Sequence, residues 1–213
     1  MTLKGYLADA TAVLELVGSA VAQEVVDAAI DTITGALPGK PLLVCGNGGS
    51  AADAMHITGE LVGRFLRDRL ALRVICLSDN PVVLTAWSND FSFDTVFSRQ
   101  VEAYGEPGAV LLGISTSGNS KNVIAAFQQA RKLGMKTIAL TGGGGALGAL
   151  ADYSIAIPSN STPLIQQAHL CVYHYLCQKI EERMIERLSC NTRSKQLQEQ
   201  VPDGLAAPHI TNA

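Results

Sequence analysis

The sequence predicts an α/β protein: a three-layer α/β/α sandwich around a parallel sheet of about five strands, flavodoxin-like in general plan. Three observations lead there. Short apolar runs alternate along the chain with segments of helical period, so each strand must reach the next through a crossover connection. Those runs are apolar almost throughout, as burial on both sheet faces demands. And 213 residues suffice for one sizeable domain, with no boundary visible inside it.

The elements follow in order. Val13, Val17, Val21 and Val25 fall four apart, and Leu14, Leu16 and Val26 widen the stripe. One broken helix or two consecutive ones are expected over 8–34, ending near Gly35 and Pro38. A buried strand follows at 41–45 and a helix at 52–66. A second strand, 72–77, precedes helical stretches near 81–87 and 94–104. The third strand, 109–114, leads into a helix over 121–133, and the fourth, 136–140, into a short helix at 146–150. A fifth strand at 153–157 precedes a long closing helix, 164–188. The domain is thus expected to span 1–188. Residues 189–213 lose the periodicity, and Pro202, Gly204 and Pro208 point to a loose tail that includes His209.

Only 16% of the residues are charged, against about 25% in an ordinary soluble domain, while 47% are hydrophobic. Mean hydropathy is +0.21. A net charge of −3 argues against a general polyanion binder, so no nucleic-acid partner is expected. No apolar run approaches the roughly 18–20 residues of a membrane span, and the N-terminal stretch lacks the pattern of a secretory signal. Cys45, Cys76, Cys171, Cys177 and Cys190 form no C-x-x-C pair and read as reduced thiols of a cytoplasmic protein. The apolar excess then belongs inside the fold or between subunits. The first and last helices, which flank the sheet region, are the natural elements to pack against another copy.

Two turns at strand ends have unusual composition. Gly46, Asn47, Gly48, Gly49 and Ser50 follow the first strand; Ser115, Thr116, Ser117, Gly118, Asn119 and Ser120 follow the third. In open parallel sheets ligands sit where such turns feed helix N-termini. Glycine allows close backbone approach, hydroxyls add donors, and the helix offers free N–H groups and a positive dipole end. Four hydroxyl residues within six positions suit the oxygens of a terminal phosphate. An ordinary strand-to-helix turn with a serine cap has the same composition. Neither turn has the spacing of a nucleotide fingerprint. The glycine run at 142–145 reads as a flexible loop at the same sheet end.

Two helices carry polar residues of interest. His56 and Glu60 are four apart, and four residues rotate about 400°, which leaves both side chains on one face. On the closing helix Gln166, His169 and His174 interrupt an apolar stretch. His169 and His174 differ by about 140° in rotation, so they cannot both point into one site. Two histidines, a carboxylate and an amide oxygen are donors for a divalent metal such as zinc; a carboxylate with an imidazole is also an acid/base pair. Such residues equally form ordinary polar contacts, and spacing alone does not bring the two helices together.

The segments CGNGGSAADAMHITGELVGRF, LSDN, SNDFSFDTVFSRQVEA, LLGISTSGNSKNVIAAF and IQQAHLCVYHYL resemble, in order, those of the sedoheptulose-7-phosphate isomerases (phosphoheptose isomerases), a branch of the sugar isomerase (SIS) domains. The resemblance spans residues from about 5 to 188. It implies a homotetramer, with sites near subunit interfaces, that interconverts sedoheptulose 7-phosphate and D-glycero-D-manno-heptose 7-phosphate for bacterial heptose biosynthesis. It implies that Ser115, Thr116, Ser117 and Ser120 hold the phosphate, and that Asn47, Gly48, Gly49 and Ser50 line the sugar. Glu60 and His174 are implied as the proton-transfer residues. His56, Glu60, Gln166 and His174 match the zinc ligands of metal-containing members, with Gln166 also at the substrate. Arg64, Asn89 and Asp90 match further polar positions of the site.

The match departs from the family pattern near Gln166. An Arg-Ile-Gln-Glu run is usual there, whereas this chain has Leu164, Ile165, Gln166 and Gln167, preceded by Pro163. Ser161 stands where some members carry an acidic residue. Two other readings fit the same framework: isomerisation of another phosphosugar, and a noncatalytic scaffold that binds the replication initiator DnaA. Scaffold relatives are expected to lack the glutamate and histidine of the acid/base pair, and this chain has both.

Overall fold

Parallel pairing joins five strands into one sheet: β1 (Leu42–Gly46), β2 (Val74–Cys76), β3 (Val110–Ser115), β4 (Lys136–Thr141) and β5 (Tyr153–Ala156), in the order β2-β1-β3-β4-β5. The structure, a computed structural model, describes residues 1–199 and the side chains of residues 1–187. The helices are α1 (Leu3–Ala20), α2 (Gln23–Ala36), α3 (Gly49–Val62), α4 (Pro81–Asp90), α5 (Val96–Tyr104), α6 (Lys121–Lys132), α7 (Leu147–Leu150) and α8 (Thr162–Glu199). A 3-10 turn, Phe93–Thr95, precedes α5. This is the expected flavodoxin-like order, and its direction reverses between β1 and β3.

Strand alternation divides the core in two. Leu42, Val44, Val110, Leu112, Ile138 and Leu140 face α2, α3 and α8, where Ile30, Ile33, Ile57, Tyr173 and Ile180 meet them. Leu43, Cys45, Leu111 and Ala139 face α5 and α6, against Phe97, Val101, Val123 and Phe127. Gly113 lets α6 approach: a Cβ there would lie 2.3 Å from the Phe127 ring. Asn80 caps α4 by accepting from the N–H groups of Val82 and Val83, and Pro81 takes the first helical position, where its missing N–H has no cost.

Several boundaries differ from the expectation, and three of them have an identifiable cause. Helix α3 starts at Gly49 rather than 52, because the Asn47 carbonyl accepts from the Ser50 N–H and the Gly48 carbonyl from Ala51 and Ala52. It stops at Val62 rather than 66 because Glu181, on α8, draws the next N–H groups out of the helical ladder. Its carboxylate accepts from Phe65, Leu66 and Arg67 at 3.0, 2.8 and 2.9 Å and pairs with buried Arg69 at 3.3 Å. Helix α8 runs on to Glu199, into the segment 189–213 expected to be a loose tail. The segment 189–199 holds helix-favouring Arg, Lys, Gln, Leu and Glu and no proline or glycine, so backbone propensity outlasts the apolar period. The rest of the tail expectation, 200–213, lies outside the described residues.

Helix α1 buries Val13 alone, against Ile157, Ile165 and Ala168, and leaves Leu3, Leu7, Leu14 and Leu16 exposed. Among the described residues, no helix is long and apolar enough to cross a membrane.

His169 is fully buried on α8, with Nε2 3.1 Å from the Thr141 carbonyl at the end of β4 and Nδ1 without a partner. Burial pushes its pKa down from 6.5 to about 4, partly opposed by that hydrogen bond. The folded state therefore keeps His169 neutral where the unfolded chain takes up a proton. Its contribution is full above pH 6.5 and fades as the pH falls toward 4, by about 3 kcal/mol in all. His169→Gln should remove this dependence, so urea unfolding should show the wild type losing its advantage over the variant across that window. A constant difference between the two would contradict the buried neutral imidazole.

Candidate functional site

The reversal of strand order puts the carboxyl ends of β1 and β3 side by side, with Gly46 opposite Ile114. The two polar turns are therefore neighbours, and a reciprocal amide pair ties them together. Asn47 Nδ2 donates to Asn122 Oδ1 at 2.9 Å, and Asn122 Nδ2 donates back to Asn47 Oδ1 at 2.8 Å. Ser78 adds a brace from the other side: its hydroxyl donates to the Gly46 carbonyl at 2.9 Å and accepts from the Gly46 N–H at 3.2 Å.

The first turn is tight enough to need its glycines. Gly48 has φ +54, and a Cβ on Gly49 would meet the Gln166 amide at 2.2 Å. Gln166 thus packs on the backbone of the first turn. Ser50 is buried at the start of α3.

In the second turn the hydroxyls of Ser115 and Ser120 lie 2.9 Å apart, and Ser117 Oγ accepts from the Asn119 N–H at 3.1 Å. Ser120 precedes α6 without using its side chain to cap it. The Val123 N–H is taken by Asn122 Oδ1 at 3.0 Å, while the N–H groups of Lys121 and Asn122 are left to an incoming acceptor, as anion binding at a helix N-terminus requires. Behind this turn lies the glycine run that sequence reasoning left without a role. Gly142 donates its N–H to the Thr116 carbonyl at 3.1 Å, and a Cβ on Gly145 would overlap the Ser117 and Gly118 backbone. The run is a close backing for the serine turn.

Helices α3 and α8 bring His56, Glu60 and His174 together, with one ligand atom of each within 4.8 Å of the others. His56 Nε2 lies 3.0 Å from Glu60 Oε1, and the rings of His56 and His174 meet edge to face at 5.1 Å. Phe65 flanks His174 at 5.6 Å. Two imidazoles and a carboxylate converging in this way are a donor set that fits zinc. His169 turns instead into the core, as its rotation relative to His174 requires.

Among the described residues, no hydrogen bond or ion pair joins Arg64, Asn89 or Asp90 to this cluster in the single chain. Arg64 is exposed beyond the end of α3. Asn89 and Asp90 are exposed at the end of α4, where Asn89 Nδ2 donates to Asp90 Oδ1 at 2.9 Å.

Sequence reasoning passed over four residues around the cluster. Asn122 and Ser78 brace the turns from distant positions and carried no local signal. Asp53 did carry one, since it sits three residues before His56 on the same helix face. Its carboxyl is buried and pushed up to about 6 by that burial, against the opposing effects of His56 and Tyr173. Tyr173 is 1% exposed, and its hydroxyl lies 2.8 Å from His56 Nδ1. Burial raises its phenol pKa above the ordinary value, and the neighbouring Asp53 charge adds to the rise.

The family model described as "SIS domain" matches residues 5–142. A phosphoheptose isomerase of Crocosphaera subtropica is 52% identical over 150 residues, 70% of this chain and 76% of that relative. One of Aquifex aeolicus is 48% identical over 167 residues, 78% of this chain and 87% of its own. Among solved structures, a phosphoheptose isomerase from Francisella tularensis superposes with a TM-score of 0.81 at 34% identity, covering 85% of this chain and all of that one. The chain belongs to the SIS domain family and, within it, to the family of the phosphoheptose isomerases.

Proposed function

We propose that this chain is an aldose–ketose isomerase that interconverts sedoheptulose 7-phosphate and D-glycero-D-manno-heptose 7-phosphate. The observation that carries the reading is the convergence of His56, Glu60 and His174 within 4.8 Å, on helices that border the two turns. Family membership at 52% identity supports the choice of a heptose phosphate over other phosphosugars.

In this reading the N-terminus of α6 and the hydroxyls of Ser115, Thr116, Ser117 and Ser120 hold the phosphate. The chain spends no cationic side chain there, because backbone N–H groups and hydroxyls supply the donors. Asn47, Gly48, Gly49 and Ser50 line the sugar, with Arg64, Asn89, Asp90 and the Gln166 amide completing its polar surroundings. Isomerisation moves a proton between C1 and C2 through a cis-enediol, and it needs a base at carbon and an acid at oxygen. Glu60 takes the carbon-bound proton, and His174 exchanges a proton with the oxygens. His56, Glu60, Gln166 and His174 would hold zinc, which when bound supplies a Lewis acid for the carbonyl and enediolate oxygens. The presence and convergence of Glu60 and His174 favour this reading over the DnaA-binding scaffold.

We further place the enzyme in the cytoplasm as a homotetramer. Among the described residues Cys45, Cys76, Cys171 and Cys177 are all free thiols, as a reducing compartment allows. The exposed Leu3, Leu7, Leu14 and Leu16 of α1, with Leu170 and Tyr175 of α8, form the apolar surface that other subunits would cover. Light scattering at micromolar protein should give the mass of a tetramer, and a monomer there would contradict this assembly. Glu60→Gln should lower kcat by about 10²–10⁴-fold, the usual contribution of a positioned base. Turnover within a few-fold of wild type would remove Glu60 from that role.

A further inference from the structure

Glu181 lies seven residues after His174 on α8. Seven residues rotate about 700°, so the two side chains share one face of the helix, roughly 10 Å apart along it. That face packs on α3 and on the chain that leaves it. The Glu181 side chain is 2% exposed, and its oxygens hold three successive N–H groups. Oε1 accepts from Phe65 at 3.0 Å, and Oε2 accepts from Leu66 and Arg67 at 2.8 and 2.9 Å. Within this strap Leu66, Arg67 and Asp68 are exposed, while the side chains of Phe65 and Arg69 turn inward. The two inward side chains lead to different partners. The Phe65 ring packs on that of His174, with centroids 5.6 Å apart and planes tilted by 36°. Arg69 Nε pairs with Glu181 Oε1 at 3.3 Å, and its Nη2 donates to the Glu60 carbonyl at 2.9 Å. That carbonyl is among the last four of α3, which lack a partner inside the helix, and the negative end of the helix dipole favours a cation there.

We propose that Glu181 is a positioning residue for the isomerisation: through Phe65 it seats His174, and through Arg69 it fixes the turn of α3 that carries Glu60. The inference rests on the reading of Glu60 and His174 as the acid/base pair. Stability alone does not call for a buried ion pair here, since packed apolar residues often replace such a pair without loss. No apolar residue, however, offers an acceptor to three N–H groups in a row, and the strap owes its path across α8 to that acceptor. Proton transfer is sensitive to such placement. A base must stand within hydrogen-bond reach of the proton it takes, and a displacement of about 1 Å caused by a remote substitution can cost ~10²-fold in rate. The serine turn lies between β3 and α6, outside this set of contacts, so the effect falls on turnover rather than on substrate binding.

Histidine-ring NMR of the metal-free protein at one pH gives a readout apart from activity, with signals assigned through His174→Gln and His169→Gln. Phe65→Leu removes the ring beside His174 and defines how the His174 signal moves when that ring is gone. Arg69→Met combined with Glu181→Gln removes both charges together, so neither is left buried and unpaired, and it keeps Phe65. This double variant should move the His174 signal in the direction set by Phe65→Leu, while the signal of His169, buried on the same helix, stays in place. With zinc supplied, its kcat on sedoheptulose 7-phosphate should fall at least about tenfold, with KM within about twofold of wild type. Val101→Ala, in the half of the core across the sheet, is the control for lost stability and should leave kcat and the His174 signal unchanged. A His174 signal at its wild-type position in the folded double variant overturns the proposal, as does equal movement of His169 or an unchanged kcat. In the wild type, hydrogen exchange at the Phe65, Leu66 and Arg67 amides should be as slow as in the core strands. Exchange at the rate of an open loop overturns the proposal whether or not any variant folds. A wild type without isomerase turnover would contradict the functional reading, and the NMR signals and exchange rates would still decide whether Glu181 seats His174.

Discussion

Parallel pairing of β1 with β3 is the constraint on which the rest of the structure depends. Strand order reverses there, so crossovers on either side leave in opposite directions and open a crevice above the strand ends. The register that places Gly46 opposite Ile114 sets both polar turns at the same height. From that follow the reciprocal Asn47–Asn122 amides and the opening of the α3 and α6 N-termini, from opposite faces of the sheet, at the same sheet end. Apolar strand residues buried on both faces hold the pairing rigid, and the polar residues above inherit that rigidity.

A second layer of contacts aims the side chains. Helix α8 buries Tyr173, Leu176, Cys177 and Ile180 against the sheet-facing core, which carries His174 to the face of α3 that displays His56 and Glu60. Glu181 then secures the chain leaving α3. Its three backbone hydrogen bonds and the pair with Arg69 hold Phe65 beside His174, while Arg69 Nη2 donates to the Glu60 carbonyl at 2.9 Å. An unpaired charge at such burial is strongly destabilising, so Glu181 and Arg69 each require the other. The glycine run over 142–145 does comparable work for the serine turn by backbone proximity alone.

The layered fold was legible in the sequence because doubly buried strands leave continuous apolar runs, and crossovers leave helical periods between them. What local pattern could not show was set by distant partners. Helix α3 ends early because a carboxylate more than a hundred residues away captures its next N–H groups, and Gly63 at its C-cap is the one local sign of that end. Helix α8 outlasts its apolar stripe because propensity and packing are separate signals. At the site, helical rotation placed His56 with Glu60 and parted His169 from His174. The meeting of the two helices is tertiary, and it came from the family resemblance rather than from spacing. Asn122 and Tyr173 were missed for the same reason, since each matters through a residue on another element.

Isomerase chemistry at the crevice is what joins the fold to its site. Its most direct test is NMR of sedoheptulose 7-phosphate incubated with the protein and zinc in deuterated water. An aldoheptose 7-phosphate that carries deuterium at C2 is the predicted product, because the migrating proton passes through a side-chain base that exchanges with solvent. Recovery of unchanged ketose, with zinc supplied or withheld, would contradict the claim that these turns and helices form an isomerase site.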